Sequence, residues 1–182
     1  MIIKPEHVIE IFLQPGEFYF GDESTRIRTL LGSCVSITLW HPKRRIGGMC
    51  HYMLPTRGGQ RASAPDGRYA DEVMQLFMRE IVSTGTDPAE YEVKLFGGGN
   101  MFTAPARRNG GEPDAVPGAG LSQRNIDVGR DLLGKHGFHI KAENVGGRGR
   151  RNIIFDIWSG DVWVRQRQDT LDFTVASVGG GR

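Results

Sequence analysis

The chain has 182 residues, 38% of them hydrophobic, and a formal net charge of +2. This length supports one well-buried core and is short for two domains. So small a charge argues against a polyanionic partner such as nucleic acid. No apolar run reaches the roughly 18 residues of a membrane helix, and the N-terminus lacks the apolar region of a signal peptide. We therefore expect one domain over residues 1–182, cytoplasmic and not inserted in a membrane.

The first predicted elements are strands, and two of them form a hairpin. Residues 7–13 and 17–20 read as extended segments, broken at Pro15-Gly16. Residues 34–40 are rich in β-branched side chains, and residues 45–54 suit a return strand. With Pro42 and Lys43 as the central turn residues, Cys34 faces His51, their Cβ atoms roughly 4.5–5.5 Å apart. That pairing predicts a thiol and an imidazole that share a proton.

The alternation of side chains along the hairpin places the two cysteines on different faces. Apolar and small polar side chains alternate over residues 34–39, so Cys34 and Cys50 lie on opposite faces of the hairpin. Cys50 falls on the apolar face, and we interpret it as a buried core residue. Cys34 follows Gly32-Ser33, where a close turn leaves the amides of Ser33 and Cys34 free to point at an oxyanion. A structural cysteine at the start of a strand is the alternative. Opposite faces are also unsuited to a disulfide, in agreement with a reducing compartment.

Residues 56–68 form a predicted loop, followed by an amphipathic helix over residues 69–83 and a strand over residues 91–96. A glycine run, Gly97-Gly98-Gly99, ends that strand. No Gly-Lys-Ser/Thr follows it, so we interpret it as a turn of close backbone approach rather than a phosphate loop. Residues 103–120 are rich in glycine and proline without an apolar period, which predicts a flexible insert.

The C-terminal part predicts one more helix and three strands. Ser122 is the expected N-cap of a helix over residues 123–136. Strands follow over residues 138–143, 152–158 and 161–166, and we expect disorder at about residues 177–182. The basic run at residues 148–151 is interpreted as a solvated loop. Eight or nine strands, mostly joined by hairpins, and two helices predict an α+β domain with antiparallel or mixed sheets and no βαβ order.

Three motifs together resemble the chemoreceptor glutamine deamidases of bacterial chemotaxis, the CheD family. They are LGSCV at residues 31–35, HYMLP at residues 51–55 and GGGNMF at residues 97–102, with weaker matches at residues 124–125, 146–147 and 149–150. His51 follows Cys34 by 17 positions, and this combination is more specific than any single motif. The resemblance extends from about residue 17 to residue 164. It departs from the family pattern at residues 121–123 and 144–145 and in the insert after Phe102.

The resemblance implies both a fold and a set of site residues. The fold is a sandwich of two sheets with the helices packed outside, similar to the catalytic domain of the cytotoxic necrotizing factor toxins. Cys34 and His51 correspond to the catalytic pair, and Thr29 is the counterpart of a threonine that is also implicated there. We expect its hydroxyl to orient His51, with Gly32 and Ser33 supplying backbone at the oxyanion. Neither a cofactor nor a metal is expected, since the His and Cys residues lack zinc-ligand spacing.

The implied activity is hydrolysis of glutamine side chains to glutamate on methyl-accepting chemotaxis receptors, which modulates chemotaxis signalling. We expect an imidazolium to lower the Cys34 pKa and give a thiolate nucleophile. Two alternatives remain open. One is a non-catalytic regulator that binds chemoreceptors or a CheC-type phosphatase. The other is a receptor methylesterase that uses the same cysteine.

Overall fold

The computed structural model describes residues 3–59, 63–101 and 120–167, and these residues form nine strands and two α-helices. The strands are β1 (Ile9–Leu13), β2 (Phe18–Gly21), β3 (Thr25–Leu31), β4 (Val35–His41), β5 (Ile46–Cys50), β6 (Glu92–Gly97), β7 (Ile140–Val145), β8 (Arg150–Asp156) and β9 (Asp161–Arg167). The helices are α1 (Ala70–Thr84) and α2 (Leu121–Lys135). Residues 103–119 of the predicted insert and the predicted disordered end at about 177–182 lie outside the described residues. Neither described helix is long and apolar enough to cross a membrane.

The strands form two mixed sheets. The four-stranded sheet has the order β1-β3-β8-β9, and the five-stranded sheet has the order β2-β5-β4-β6-β7. β1 runs parallel to β3 and β6 parallel to β7, whereas the other pairs are antiparallel. The predicted α+β class with mixed sheets is therefore confirmed.

Two apolar cores hold the layers together. The first lies between the sheets and contains side chains from both, including Ile27 and Phe155 of the four-stranded sheet and Met49 of the five-stranded sheet. The second lies between the five-stranded sheet and the helices, and includes Phe77 of α1 and Ile126 of α2. Both helices thus cover the outer face of the five-stranded sheet, and the outer face of the four-stranded sheet carries no helix among the described residues.

The hairpin register differs from the prediction. Leu39 pairs with Gly48 and His41 pairs with Ile46, which leaves a four-residue turn over residues 42–45 in place of the expected two-residue turn. The turn is closed by a 2.9 Å bond from the Arg45 amide to the His41 carbonyl oxygen. Cys34 therefore does not face His51 directly. The shift is two residues, and a side-chain period of two leaves every residue on its predicted face.

Three further features of the elements differ from the prediction. β3 was not expected, although its buried and exposed residues alternate along TRIRTLL, because two arginines obscure the apolar pattern. The expectation of no βαβ order also fails, since α2 connects the parallel strands β6 and β7. Similarly, Gly120 rather than Ser122 is the N-cap of α2. The Ser122 hydroxyl instead donates to the Gly99 carbonyl oxygen at 3.1 Å.

Candidate active site

Cys34 lies in the short connection that carries the chain from the four-stranded to the five-stranded sheet. Residues 32–34 join β3 to β4, and the Cys34 side chain is partly exposed and packs against the inter-sheet core. The Gly98 amide donates to the Cys34 carbonyl oxygen at 2.8 Å, and the Gly99 amide donates to the Gly32 carbonyl oxygen at the same distance. The glycine turn after β6 therefore holds the connection in place.

Two positions of the glycine turn after β6 have no room for a side chain. A Cβ at Gly97 would overlap the carbonyl oxygen of Cys34, and a Cβ at Gly98 would overlap the Ile126 side chain. Both residues also have positive φ, 108° and 62° respectively, where glycine is strongly preferred. The interpretation of this run as a close-approach turn is confirmed.

His51 follows β5 directly and is buried. Its backbone is fixed on both sides, since its amide donates to the Glu17 carbonyl oxygen at 3.0 Å and its carbonyl oxygen accepts from the Gly16 amide at 2.7 Å. Its side chain meets Thr29, with Nδ1 lying 2.7 Å from the Thr29 Oγ1. The loop between β1 and β2 thus positions the backbone, and β3 positions the ring.

The hydroxyl of Thr29 determines the tautomer of His51. Thr29 Oγ1 also lies 2.9 Å from the carbonyl oxygen of Leu13, which can only accept a hydrogen bond. The single hydroxyl proton is therefore donated to Leu13, and Oγ1 accepts from a protonated Nδ1 of His51. In the neutral ring this leaves Nε2 unprotonated. Nε2 is buried and has no hydrogen-bond partner among the described residues.

Cys34 and His51 flank one backbone pair. Val35 and Tyr52 exchange two 3.0 Å hydrogen bonds, which continue the register of the hairpin beyond its named strands. In that register Cys34 is opposite Met53, and His51 is its diagonal neighbour on the same face. Diagonal neighbours in an antiparallel pair lie roughly 7–8 Å apart at Cα, with their Cβ atoms somewhat closer. The two side chains thus share the face directed toward the inter-sheet core.

Burial favours the neutral forms of both groups. It raises the pKa of the Cys34 thiol, and a hydrogen bond with Ser33 opposes this rise. Burial also lowers the pKa of His51 to about 4, against a small opposite effect of Glu17. The expectation that an imidazolium lowers the Cys34 pKa is therefore wrong for the free protein. At neutral pH the pair consists of a thiol and a neutral imidazole, and the imidazole is ready to accept a proton.

Cys50 is a core residue, as predicted. It is fully buried among the side chains between the five-stranded sheet and the helices, and burial raises its pKa to about 12. The Ile37 amide donates to its sulfur at 3.3 Å. An inert thiol is expected in such surroundings.

Asn125 supports the segment that follows His51, a role that sequence reasoning missed because its only signal is the weak motif at residues 124–125. Its side-chain amide donates to the Met53 carbonyl oxygen at 2.8 Å, and its backbone carbonyl oxygen accepts from the Tyr52 hydroxyl at 2.7 Å. Helix α2 thereby fixes the residues that directly follow His51.

Arg151 supports the loops around Cys34 and does not belong to a solvated loop. It is 2% exposed and lies in β8, opposite Leu31 at the end of β3. Its Nε donates to the Asn144 Oδ1 at 2.6 Å, and its Nη2 donates to the Gly146 carbonyl oxygen. The interpretation of residues 148–151 as solvated is wrong at this position, because the guanidinium fixes the loop that follows β7.

Two further features bear on the chemistry of the site. The amides of Ser33 and Cys34 donate none of the backbone hydrogen bonds between described residues. Within the same ranges, no group of three or more His, Cys, Asp or Glu side chains is arranged to hold a metal ion.

Comparison with known proteins gives consistent matches. The family model described as CheD chemotactic sensory transduction matches residues 53–166. A protein of Dechloromonas aromatica named probable chemoreceptor glutamine deamidase CheD 3 is 51% identical over 90% of this chain and 91% of its own length. A protein of Pseudomonas savastanoi pv. phaseolicola, named probable chemoreceptor glutamine deamidase CheD, is 50% identical over 90% and 88%. A protein of Leptospira interrogans, named probable chemoreceptor glutamine deamidase CheD 1, is 39% identical over 93% of this chain and 100% of its own length.

A solved structure of the hypothetical protein YfiH from Bacillus licheniformis aligns with a TM-score of 0.38 and 15% identity, over 69% of this chain and 49% of that one.

Proposed function

The chain belongs to the CheD family, and on that premise we propose that it hydrolyses glutamine side chains of chemotaxis receptors to glutamate, with Cys34 as nucleophile and His51 as general base. Its relatives are named probable chemoreceptor glutamine deamidases. The observation that carries the residue assignment is the Thr29–His51 bond, which leaves the His51 Nε2 unprotonated on the face shared with Cys34.

The first half of the reaction expels ammonia. The Cys34 sulfur attacks the side-chain carbonyl carbon of glutamine while the thiol proton passes to the His51 Nε2. The resulting tetrahedral oxyanion is stabilised by the amides of Cys34 and Ser33, each such donor typically contributing about 3–4 kcal/mol. Protonated Nε2 then gives its proton to the leaving nitrogen, the C–N bond breaks, and a thioester remains.

The second half consumes water. Nε2 of His51 takes a proton from a water molecule as its oxygen attacks the thioester carbon. When the second tetrahedral intermediate collapses, the C–S bond breaks and the Cys34 sulfur recovers the proton from His51. The balance is one glutamine and one water converted to one glutamate and one ammonia. Thr29 keeps Nδ1 protonated throughout, and so directs both proton transfers to Nε2.

Mass spectrometry of a receptor cytoplasmic fragment incubated with this protein tests the proposal. Each conversion of glutamine to glutamate adds about one dalton, and we expect this gain with the wild type and its absence with Cys34→Ala. Loss of a methylene from a methylated receptor, with no gain at glutamine, would instead favour the methylesterase alternative. An unchanged fragment would overturn both enzymatic assignments.

The remaining family expectations stay predictions. Binding to a CheC-type phosphatase, cytoplasmic location and similarity to the cytotoxic necrotizing factor catalytic domain belong to this group. Phosphatase binding is compatible with catalysis, and a pull-down with Cys34→Ala would separate it from turnover.

A further inference from the structure

The outer face of the four-stranded sheet has an ordered distribution of charge. Because side chains alternate along each strand, paired outward residues form rows across the sheet. These rows are Glu10–Arg26–Asp156–Asp161, then Phe12–Arg28–Ile154–Trp163, then Leu30–Asn152–Arg165, and finally the pair Arg150–Arg167. The first row has three carboxylates and one guanidinium. The last two have three guanidiniums and no carboxylate, so the face changes from acidic to basic along β3.

The basic end of this face borders the connection that carries Cys34. Leu30 precedes Cys34 by four positions, and the last two rows line a concavity of about 330 Å³. The carbonyl oxygen of Gly149, one position before Arg150, lies against Gly99, whose amide binds the Gly32 carbonyl oxygen. A molecule seated in the concavity is therefore adjacent to the residues that position the thiol.

The same face exposes large apolar side chains. Phe12, Leu30 and Trp163 are 50%, 48% and 61% exposed, respectively. When one face of a sheet packs on a core, the other face is exposed to solvent and is ordinarily polar. A 3.3 Å hydrogen bond from Trp163 Nε1 to the Asp156 Oδ2 holds the ring in one orientation on this face. Tryptophan and arginine are the residues most enriched in the energetic centres of protein interfaces.

We propose that this face is a docking site for an acidic, partly apolar segment of the substrate protein, which holds the substrate while a glutamine reaches Cys34. The proposal rests on the deamidase function above. Charge complementarity identifies the occupant, because Arg165 and Arg167 form no ion pair within residues 3–59, 63–101 and 120–167. Trp163 and Arg167 are four positions apart in β9, which spans about 13 Å. A single short segment of the substrate protein can therefore contact both the apolar row and the basic rows.

Steady-state deamidation of a receptor cytoplasmic fragment tests the docking site. We compare the wild type with Arg165→Glu/Arg167→Glu and with Trp163→Ala. The control is Arg79→Glu/Lys135→Glu, which makes the same change in net charge at exposed positions on α1 and α2. The rate of Cys34 alkylation by iodoacetamide reports whether the site remains intact in each variant.

We expect KM for the fragment to rise about 10-fold or more in the double β9 variant, with kcat and the alkylation rate unchanged. Added salt should raise the wild-type KM and have a weaker effect on that variant, because exposed charges are screened. Trp163→Ala should raise KM without altering the salt dependence, and the helix control should match the wild type.

Three results would overturn the docking site while leaving the deamidase function intact. One is an unchanged KM in the double β9 variant. Another is an equal rise in the helix control, which would indicate a net-charge effect. The third is wild-type binding to vesicles of phosphatidylglycerol and phosphatidylcholine that is lost in the β9 variant while KM stays unchanged, which would assign the face to a membrane surface. A wild type that does not modify the fragment contradicts the proposed function itself.

Discussion

Thr29 lies in the four-stranded sheet and His51 directly follows β5 of the five-stranded sheet, and a 2.7 Å hydrogen bond between Thr29 Oγ1 and His51 Nδ1 joins them. Thr29 belongs to β3 and is fully buried, and its hydroxyl also binds the last residue of β1. The orientation of the imidazole therefore depends on how the two sheets pack. The position of the His51 ring is set by the fold as a whole and not by the hairpin alone.

Replacing Thr29 by valine should lower kcat about 10–100-fold, because the imidazole loses the acceptor that keeps Nδ1 protonated. Valine preserves the volume, so the change isolates the hydroxyl. Thr29→Ser retains the hydroxyl and should keep most of the activity. The measurement is kcat on a receptor fragment, with circular dichroism to confirm folding. Equal activity of the valine and serine variants would contradict the positioning role of the hydroxyl.

Cys34→Ala should abolish deamidation, whereas Cys50→Ala should leave kcat largely unchanged. Cys50 lies in the core on the opposite face, and its replacement should cost about 1 kcal/mol of stability through the small cavity it creates. Native-state labelling with iodoacetamide provides an independent measurement. Cys34 should react first and Cys50 only on unfolding, since burial raises its pKa to about 12. Faster labelling of Cys50 in the folded protein would reverse the assignment.

The sequence predicted the faces of the hairpin correctly but not its register. Alternation determines which residues share a face, and a shift of two residues does not alter it. Turn length determines the register, and the Pro-Lys pair suggested a tighter turn than the four residues that form it. The contact of Thr29 with His51 depends on sheet packing, which local patterns do not encode. The sequence suggested Thr29 only through the family resemblance.

The sequence predicted that the glycines at residues 97–99 allow a close approach of the backbone, but it did not predict which residues they approach. The run at residues 97–99 indicated a close approach, and it contacts the Cys34 connection and α2. A cluster of basic residues is usually solvated, so the sequence predicts a surface position for Arg151, whereas the structure buries it. Its guanidinium donates to Asn144 in β7 and to Gly146 in the loop after it, and only the tertiary structure brings these acceptors together.

The pH dependence of kcat/KM should have its acid limb near pH 4 and a plateau through neutral pH. His51 must be neutral to accept the thiol proton, and burial lowers its pKa to about 4 in the folded protein. Protonation below that pH blocks the base. The measurement is kcat/KM on a receptor fragment between pH 4 and 8, at pH values where the protein remains folded. A limb near the ordinary histidine value of about 6.5 would show that the ring is solvated in the free enzyme.

The same lowered pKa predicts a pH-dependent stability. The unfolded chain binds a proton at His51 below about pH 6.5, whereas the folded protein does not until about pH 4. The stability that His51 contributes is therefore fully present above pH 6.5 and is lost as the pH falls toward 4, by up to about 1.4 kcal/mol per pH unit. Urea unfolding at pH 4.5 and pH 7 should show a larger loss for the wild type than for His51→Gln. Identical losses would exclude His51 as the cause.

Gly97→Ala should impair both stability and catalysis, whereas Gly137→Ala should affect stability alone. Both glycines have positive φ, 108° and 81°, so an alanine at either position costs roughly 1–2 kcal/mol of backbone strain. At Gly97 the new Cβ would also overlap the carbonyl oxygen of Cys34, whereas at Gly137 it would meet open space. The connection that carries the thiol must then shift to relieve the overlap. Thermal unfolding, kcat and the rate of Cys34 alkylation, measured in both variants, separate the two effects. A Gly97→Ala protein with reduced melting temperature but normal kcat would show that the catalytic connection does not depend on the glycine turn.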